Sequence, residues 1–503
     1  MPLHLSLPET SADPQADVAA VAPESTVRWL DELAYDDPLR TGRAVADRLG
    51  ALNAQRLRIT LRQDLNEHFF PVVQRLLAIL ERQLGSGELP LAPDARAASK
   101  VADDLIAQLA ASYKSLLVEQ SRRLFGFASS GRALLPIQRT MLLIGQRLVL
   151  SYRIYATAPK GVWSELHELY QFAARRGLSQ RELDPSSPTP LALYKSALMT
   201  AFADPQRLAP GDLNVVLALV HELANRAQIG LAQDRRNVQG IFVIKPQRDT
   251  AGYSVSKRHQ PSPQTHDLVL NTLPVAEGLV EKLARLDGKT PLADLGLPAD
   301  TDLVRAKDLL GRLIKYWGAV PNRRFNRLRT HAKVEITVGL ADIWAFLNEG
   351  GVGEAGAGEW MVTNESPRGF ALMHVSGAIT PVRVGEVVGL RARETPGCHI
   401  CVVRWVLSDN PEHLELGLEE IAPTARPAKV RRVRDSAGTM VPALLLPEVP
   451  NHNQAASILA PLASMDQTCE LSIGELQAKL KVRPTQTVER TPSVQLVEFA
   501  SVE

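Results

Sequence analysis

The hydrophobic period of this 503-residue chain changes along its length, and that change restricts the fold more than any other feature. Over roughly the first 310 residues apolar side chains recur every three or four positions, the spacing that gathers one face of an α-helix. Val101, Leu105, Leu109 and Leu116 with Ile106, Tyr113 and Leu117 fall on one such face, and Val72, Leu76, Leu77, Ile79, Leu80 and Leu84 on another. Met141 to Leu150 is apolar except for Gln146 and Arg147, which predicts a central helix. Trp163, Leu166, Leu169, Tyr170, Phe172 and Ala173 give a further helix ended by Gly177, and Leu191 to Phe202 and Leu213 to Ile229 give two more. The Trp163 helix has the flavour of a tetratricopeptide repeat, but no repetition at about 34 residues accompanies it, so an irregular bundle is expected.

The helical pattern is interrupted near 239–272, where Gly240 to Lys245, Gly252 to Ser256 and Leu268 to Asn271 read as a small β insertion. Helices resume at Pro274 to Leu286 and Asp302 to Trp317. From Ala332 the residues alternate with period 2 as far as Val338, and further strand candidates follow at Phe370 to Val375, Val387 to Arg393, His399 to Leu407 and Leu414 to Ile421. Ala443 to Leu446, Cys469 to Ile473, Leu480 to Arg483 and Val494 to Phe499 extend the β pattern to the end.

Two short signatures sit where the period changes. Arg323-Arg324-Phe325-Asn326-Arg327 places guanidinium forks just ahead of a strand, and such forks suit phosphate oxygens and the O6/N7 edge of guanine. Asn364-Glu365-Ser366-Pro367-Arg368-Gly369 is a turn whose amide and hydroxyl can bond backbone or ligand, and whose glycine admits positive φ or close backbone approach. The pair resembles the RxxxR and [D/N]xSxxG motifs of the PilZ family of bacterial cyclic di-GMP receptors, and the likeness covers residues 320 to 425. Trp405 followed by Gly417 also resembles the closing strands of a PilZ barrel. The resemblance implies a ligand site in which Arg323 and Arg327 meet phosphate and guanine and Arg324 assists. Asn364, Ser366 and Gly369 would form the opposite wall. An insert from Leu347 to Glu359, rich in glycine, alanine and glutamate, is expected to be a surface loop.

The fold expected is therefore multidomain α+β: a mostly helical N-terminal region, a PilZ-like antiparallel β-barrel and a C-terminal β-rich extension. The boundaries are a disordered tail over 1–24, a helical module over 25–318, the barrel over 319–425 and the extension over 426–503. The basic run of Arg426, Lys429, Arg431, Arg432 and Arg434 reads as a solvated linker, or else as extra phosphate contact.

A net charge of +2 supplies no global field for nucleic acid or membrane, so attraction for anions must be local. Neither a secretory leader nor a membrane span is visible, and three cysteines suit a reducing compartment, so the cytoplasm is the expected location. Cys398 and Cys401 form a lone C-x-x-C, read as buried structural residues rather than metal ligands, and His399 between them adds nothing to that. No catalytic set emerges. Gly288-Lys289-Thr290 imitates the end of a P-loop, but Leu283 stands where its first glycine belongs. No signature of an enzyme that makes or breaks cyclic di-GMP is present, and His167, His221 and His331 are scattered. The expected function is a cytoplasmic second-messenger receptor, without metal, cofactor or catalysis, that binds cyclic di-GMP and relays it through the helical module to an unidentified protein partner. The alternatives are a degenerate PilZ interaction module that binds no nucleotide, a nucleic-acid-binding protein using the basic clusters, and an enzyme hidden in the helical region.

Overall fold

The computed structural model describes residues 3–9, 23–85, 87–123, 131–232, 238–257, 260–286, 289–299, 301–320, 328–349, 358–392, 397–410, 413–434, 438–448, 455–473 and 478–502. It divides into two compact units, one of Met1–Ser86, Leu91–Pro205 and Gly211–Asn322, the other of Gly87–Pro90, Gln206–Pro210 and Arg323–Glu503.

The first unit holds α1 (Pro23–Asp31), α2 (Pro38–Asn53), α3 (Ile59–Glu81), α4 (Pro93–Arg123), α5 (Leu134–Arg153), α6 (Val162–Arg175), α7 (Pro190–Phe202) and α8 (Asp212–Leu223). Their starts follow local chemistry. Asp37 accepts from the Arg40 amide with Pro38 at the first helical position, and Thr189 does the same for Ala192 with Pro190. The 3/4-spaced residues form the core: Leu76, Leu80, Leu105 and Tyr113 are wholly buried, and Leu49 and Phe69 pack in the same cluster. The predicted central helix lies within α5, which buries Met141, Leu143, Ile144, Leu148 and Leu150 and packs against α4, α6 and α7. Such burial on several sides explains why its sequence lacks a polar face.

The helix predicted for Leu213 to Ile229 stops at Leu223, and Gln228–Leu231 is instead β1. Pairing decides this, because Gly230 and Leu231 sit opposite Val269 and Leu268 in an antiparallel ladder. The predicted insertion is a four-stranded sheet, with β2 (Ile241–Ile244), β3 (Tyr253–Ser254) and β4 (Leu268–Asn271) in the order β1-β4-β2-β3. All four residues of β2 are buried, and Phe242 stacks on Phe202 of α7 with ring centroids 4.0 Å apart. The connection from β2 to β3 caps α6: the Asp249 carboxylate accepts from the amides of Gly161 (2.5 Å) and Ser164 (3.0 Å), where the helix N-terminus favours a negative charge. Two helices complete the unit, α9 (Leu273–Arg285) and α10 (Leu303–Trp317), the latter capped by Asp302.

His167 of α6 is fully buried, with Nδ1 2.7 Å from the Tyr194 hydroxyl and Nε2 2.9 Å from the Thr250 carbonyl. The Tyr194 hydroxyl donates to one ring nitrogen and the other donates to the carbonyl, which is a neutral imidazole satisfied on both sides. It is a structural residue. Burial holds its pKa below the ordinary value, opposed by the Thr250 bond and Asp249. The unfolded chain therefore takes up the proton first as pH falls, so the contribution of this site is complete above about pH 6.5 and declines below it. Thermal unfolding of the first unit between pH 8 and 5 is expected to lose stability on the acid side. A His167→Gln variant should flatten that limb.

The second unit begins with β5 (Leu328–Arg329) and β6 (Lys333–Val338). After α11 (Leu340–Asn348) come β7 (Glu359–Ser366), β8 (Gly369–Ser376), β9 (Val387–Ala392), β10 (His399–Asn410) and β11 (His413–Ala422). Antiparallel pairing runs β7-β6-β9-β10-β11-β8 and returns from β8 to β7, closing a six-stranded barrel. Among the residues of the expected insert, Leu347 and Asn348 end α11 and Glu359 opens β7; 350–357 lie outside the described residues.

A second closed barrel follows, of β12 (Arg426–Arg432), β13 (Val441–Leu446), β14 (Ser457–Pro461), β15 (Cys469–Ile473), β16 (Ala478–Arg490) and β17 (Val494–Val502), in the order β12-β13-β14-β17-β16-β15. The expected β-rich extension is thus a barrel of its own. The basic run is not a linker. It forms β12, with Ala428 and Val430 buried, Arg431 paired to Glu470 (2.6 Å) and Arg432 to Asp466 (3.0 Å). Alternate residues of a strand face opposite ways, so a charged run can bury every second side chain and still form a barrel wall.

The two barrels share a core. Val387, Ile400 and Val402 of the first pack with Leu444, Leu459 and Leu496 of the second, and Leu340 and Ile343 of α11 join the same cluster. Arg404 of β10 adds a polar tie, with Nη2 2.8 Å from Glu489 of β16 and Nε 2.7 Å from Glu419 of β11.

Candidate functional site

The Asn-x-Ser-x-x-Gly signature is the tip of the β7–β8 hairpin. Glu365 pairs with Phe370 and Ser366 with Gly369, leaving Pro367 and Arg368 as a two-residue connection. The Ser366 hydroxyl donates to the Gly369 carbonyl across the turn (3.3 Å). Gly369 is opposite Glu419 of β11, and a Cβ there would overlap the Leu418 carbonyl oxygen. Close backbone approach, rather than positive φ, is what demands glycine here.

Asn364 stands two residues before Ser366. Its Nδ2 is 3.5 Å from the Thr363 hydroxyl, and its Oδ1 is buried yet accepts no hydrogen bond among the described residues. An amide oxygen removed from water without a donor costs about 1–3 kcal/mol, which a ligand N–H would recover. Directly across the ladder from Asn364 is Arg329 of β5, and across from Glu365 is Leu328. Opposite residues of an antiparallel pair present their side chains on one face, so Arg329 belongs beside Asn364. The sequence reading left Arg329 out of the site; its position two residues after Arg327, one strand repeat on, is the signal that could have found it.

Arg323, Arg324 and Arg327 lie outside the described residues. Both flanks of their segment are described. Upstream, Trp317 ends α10 fully buried, its indole N–H donating to the Met199 carbonyl (3.2 Å). Downstream, Leu328 is already in register with Glu365 at the hairpin. β5 and β6 pair with successive stretches of the same edge of β7, so the chain leaving the arginine motif runs along the strand that carries Asn364.

Behind the hairpin, Trp405 of β10 pairs with Gly417 of β11, and its indole occupies the space where a side chain at 417 would be. Cys398 and Cys401 are buried free thiols. Burial pushes Cys398 up to about 11 against the lowering influence of Arg391, and burial, with Glu420 and Cys398 nearby, raises Cys401 as well, so both are neutral thiols near neutral pH. Between them, His399 has its pKa raised by its 2.6 Å bond to Glu420. Among the described residues no group of three or more His, Cys, Asp or Glu side chains could hold a metal ion, and no helix is long and apolar enough to cross a membrane.

Comparison with known proteins covers most of the chain. Residues 24–234 match the sequence model of the N-terminal domain of the cyclic-di-GMP receptor FimW. Residues 241–351 and 356–427 match that receptor's middle PilZ domain, and 428–502 its C-terminal β-barrel domain. The middle match starts at β2, ahead of the barrel, and so takes in most of the small sheet, α9 and α10. The cyclic-di-GMP receptor FimW of Pseudomonas aeruginosa is 24% identical to this chain, the alignment covering 91% of the chain and 87% of the relative. Closed barrel, hairpin signature and these matches agree: the chain belongs to the PilZ-domain family of cyclic di-GMP receptors.

Proposed function

We propose that this chain binds cyclic di-GMP between the Arg323–Arg327 segment and the β7–β8 hairpin, and that binding is relayed through the helical unit to a protein partner. The observation that carries the reading is the orphaned Asn364 Oδ1, buried at the hairpin opposite the strand that continues the arginine motif. Guanine offers N–H donors on one edge and the O6/N7 acceptors on another, and the ligand's two phosphates are anionic. In this reading Asn364 accepts from a base N–H, Arg323 and Arg327 pair with phosphate and the acceptor edge, and Arg324 and Arg329 add positive charge. Ser366 and Gly369 shape the wall, the serine by bracing the turn and the glycine by letting β8 lie close to β11.

The relay rests on connectivity. The chain passes from the first unit to the second for the last time between Asn322 and Arg323, so ligand contacts made by the arginine segment act on one of the covalent connections. Ordering that segment would restrict the connection and change the surface offered to a partner. The reading is of a receptor without catalysis. The basic stretch that could have favoured nucleic acid instead has two of its arginines committed to carboxylates within a barrel wall.

Isothermal titration of the full chain with cyclic di-GMP tests the reading, alongside Arg323→Ala, Arg327→Ala and the double variant. Each single variant is expected to lose about 1.5–3 kcal/mol, roughly ten- to a hundredfold in affinity. A folded wild-type chain that gives no binding heat would rule the reading out and leave a PilZ-shaped interaction module.

A further inference from the structure

Residues 3–9, which fall within the tail expected to be disordered, lie on the helical unit. The His4 amide donates to Glu168 (2.5 Å) and the Ser6 amide to Glu165 (2.9 Å), while the Ser6 hydroxyl donates to Glu165 as well. Glu165 and Glu168 are three apart on α6 and so stand in file along one helix face. Amides two residues apart in an extended segment point the same way. A row of helix carboxylates is thereby matched to the alternation of an extended chain.

Beneath this segment is a cavity of about 280 Å³, bounded by Ser6, Leu7 and Pro8 on one side and by α4, α5 and α6 on the others. Its wall is largely apolar, with Ile106, Ala110, Leu143 and Val162, and carries the Lys114–Glu165 ion pair at 2.5 Å, both residues more than nine-tenths buried. The Lys114 ammonium is also 3.4 Å from the Ser6 hydroxyl. The segment covers the cavity without filling it, since Leu7, its large apolar residue at the rim, is 43% exposed. The polar half of a recognition site is satisfied, then, and the apolar half is not.

We propose that this groove is a docking site for an extended segment of a protein partner, one that presents alternate amides and a hydroxyl side chain to Glu165 and Glu168 and an apolar side chain to the cavity. Residues 3–9 occupy it in cis, and the partner displaces them. The chemistry follows from the present occupant: it makes the main-chain contacts any extended peptide can make, and leaves empty the space where a better-fitting side chain gains affinity. The inference supplies the partner surface that the proposed relay requires, and it is tested without nucleotide, so its failure and that of the nucleotide reading are separable.

The experiment is fluorescence anisotropy of a labelled synthetic peptide of residues 3–9 with the full chain, with Ser6→Asp and with Ser6→Pro. The first variant sets a carboxylate against Glu165. The second removes the amide and disrupts the cis contacts without adding charge. Ser6 is exposed, so neither is expected to disturb the fold, which far-ultraviolet circular dichroism checks. A tethered occupant competes at roughly millimolar effective concentration, so both variants should bind the peptide at least about tenfold more tightly than the wild type. Adding Glu168→Ala to either should reverse the gain. Equal binding by wild type and variants, or no binding to either variant, overturns the proposal. So does peptide binding that depends on dimers of the variants in light scattering, because the groove would then exchange segments between copies.

Discussion

Replacing Gly417 with alanine is expected to cost the barrel unit about 3 kcal/mol, on the order of a 10 °C fall in its melting transition. A Cβ at 417 would overlap the indole of Trp405, a half-buried side chain that pairs with Gly417 on the neighbouring strand. A flexible side chain could swing away. The Trp405 indole is half-buried and bulky, so making room at 417 costs it the contact with β11 that the glycine allows. The control is the same substitution at Gly311 in α10, where nothing lies within 4 Å of the added carbon. There alanine should stabilise by about 0.5–1 kcal/mol, because it removes the conformational entropy penalty of a helical glycine. Scanning calorimetry reads both signs, and a neutral result at 417 would mean that the indole is not wedged as described.

Trp317→Ala is expected to cost the helical unit about 4 kcal/mol. Trp317 is fully buried, among the largest side chains so placed, and its N–H reaches the Met199 carbonyl. Truncation therefore leaves a cavity and removes one of the two hydrogen bonds to the Met199 carbonyl, which still accepts from the Ala203 amide. Trp317→Phe, which keeps most of the packing, should cost about 1–2 kcal/mol. Because the chain has two units, a single overall transition would mislead; amide hydrogen exchange resolved along α7 and α10 is the suitable measurement. The site matters for function as well as stability. Trp317 anchors α10 six residues before Arg323, so in the proposed relay it is the fixed end against which ordering of the arginine segment acts. The phenylalanine variant should retain nucleotide affinity while the coupling to the helical unit weakens.

Legibility differed between elements for physical reasons. Helices α3, α4 and α5 announce themselves because each buries a broad apolar stripe, and α10 because Asp302 caps it and its apolar face is well separated. α11 went unseen: Leu340 to Asn348 is short, apolar on most sides and set between strands, and its core residue Ile343 gains meaning only from two barrels meeting around it. β7 was hidden by its own turn residues. Asn364 and Ser366 read as loop formers, yet pairing with β5 and β8 draws both into the strand. β12 was hidden by its charge, since a strand that buries only alternate small residues resembles a solvated linker.

The candidate site divides in the same way. Its residue types, order and spacing were visible in the chain, because an Asn-x-Ser-x-x-Gly turn and an arginine pair are local chemistry. The use of Gly369 was not, because the Leu418 carbonyl that excludes a side chain arrives from a strand nearly fifty residues away. Nor were the unpartnered oxygen of Asn364 and the alignment of Arg329 with it, which depend on the register of β5 against β7. Local periodicity and turn chemistry, each acting over a few residues, sufficed for the division into helical and β regions and for the family resemblance. The closing of two barrels on a common core, the seating of residues 3–9 on α6 and the burial of one amide oxygen were decided by tertiary packing, because each is a contact between segments far apart in the chain.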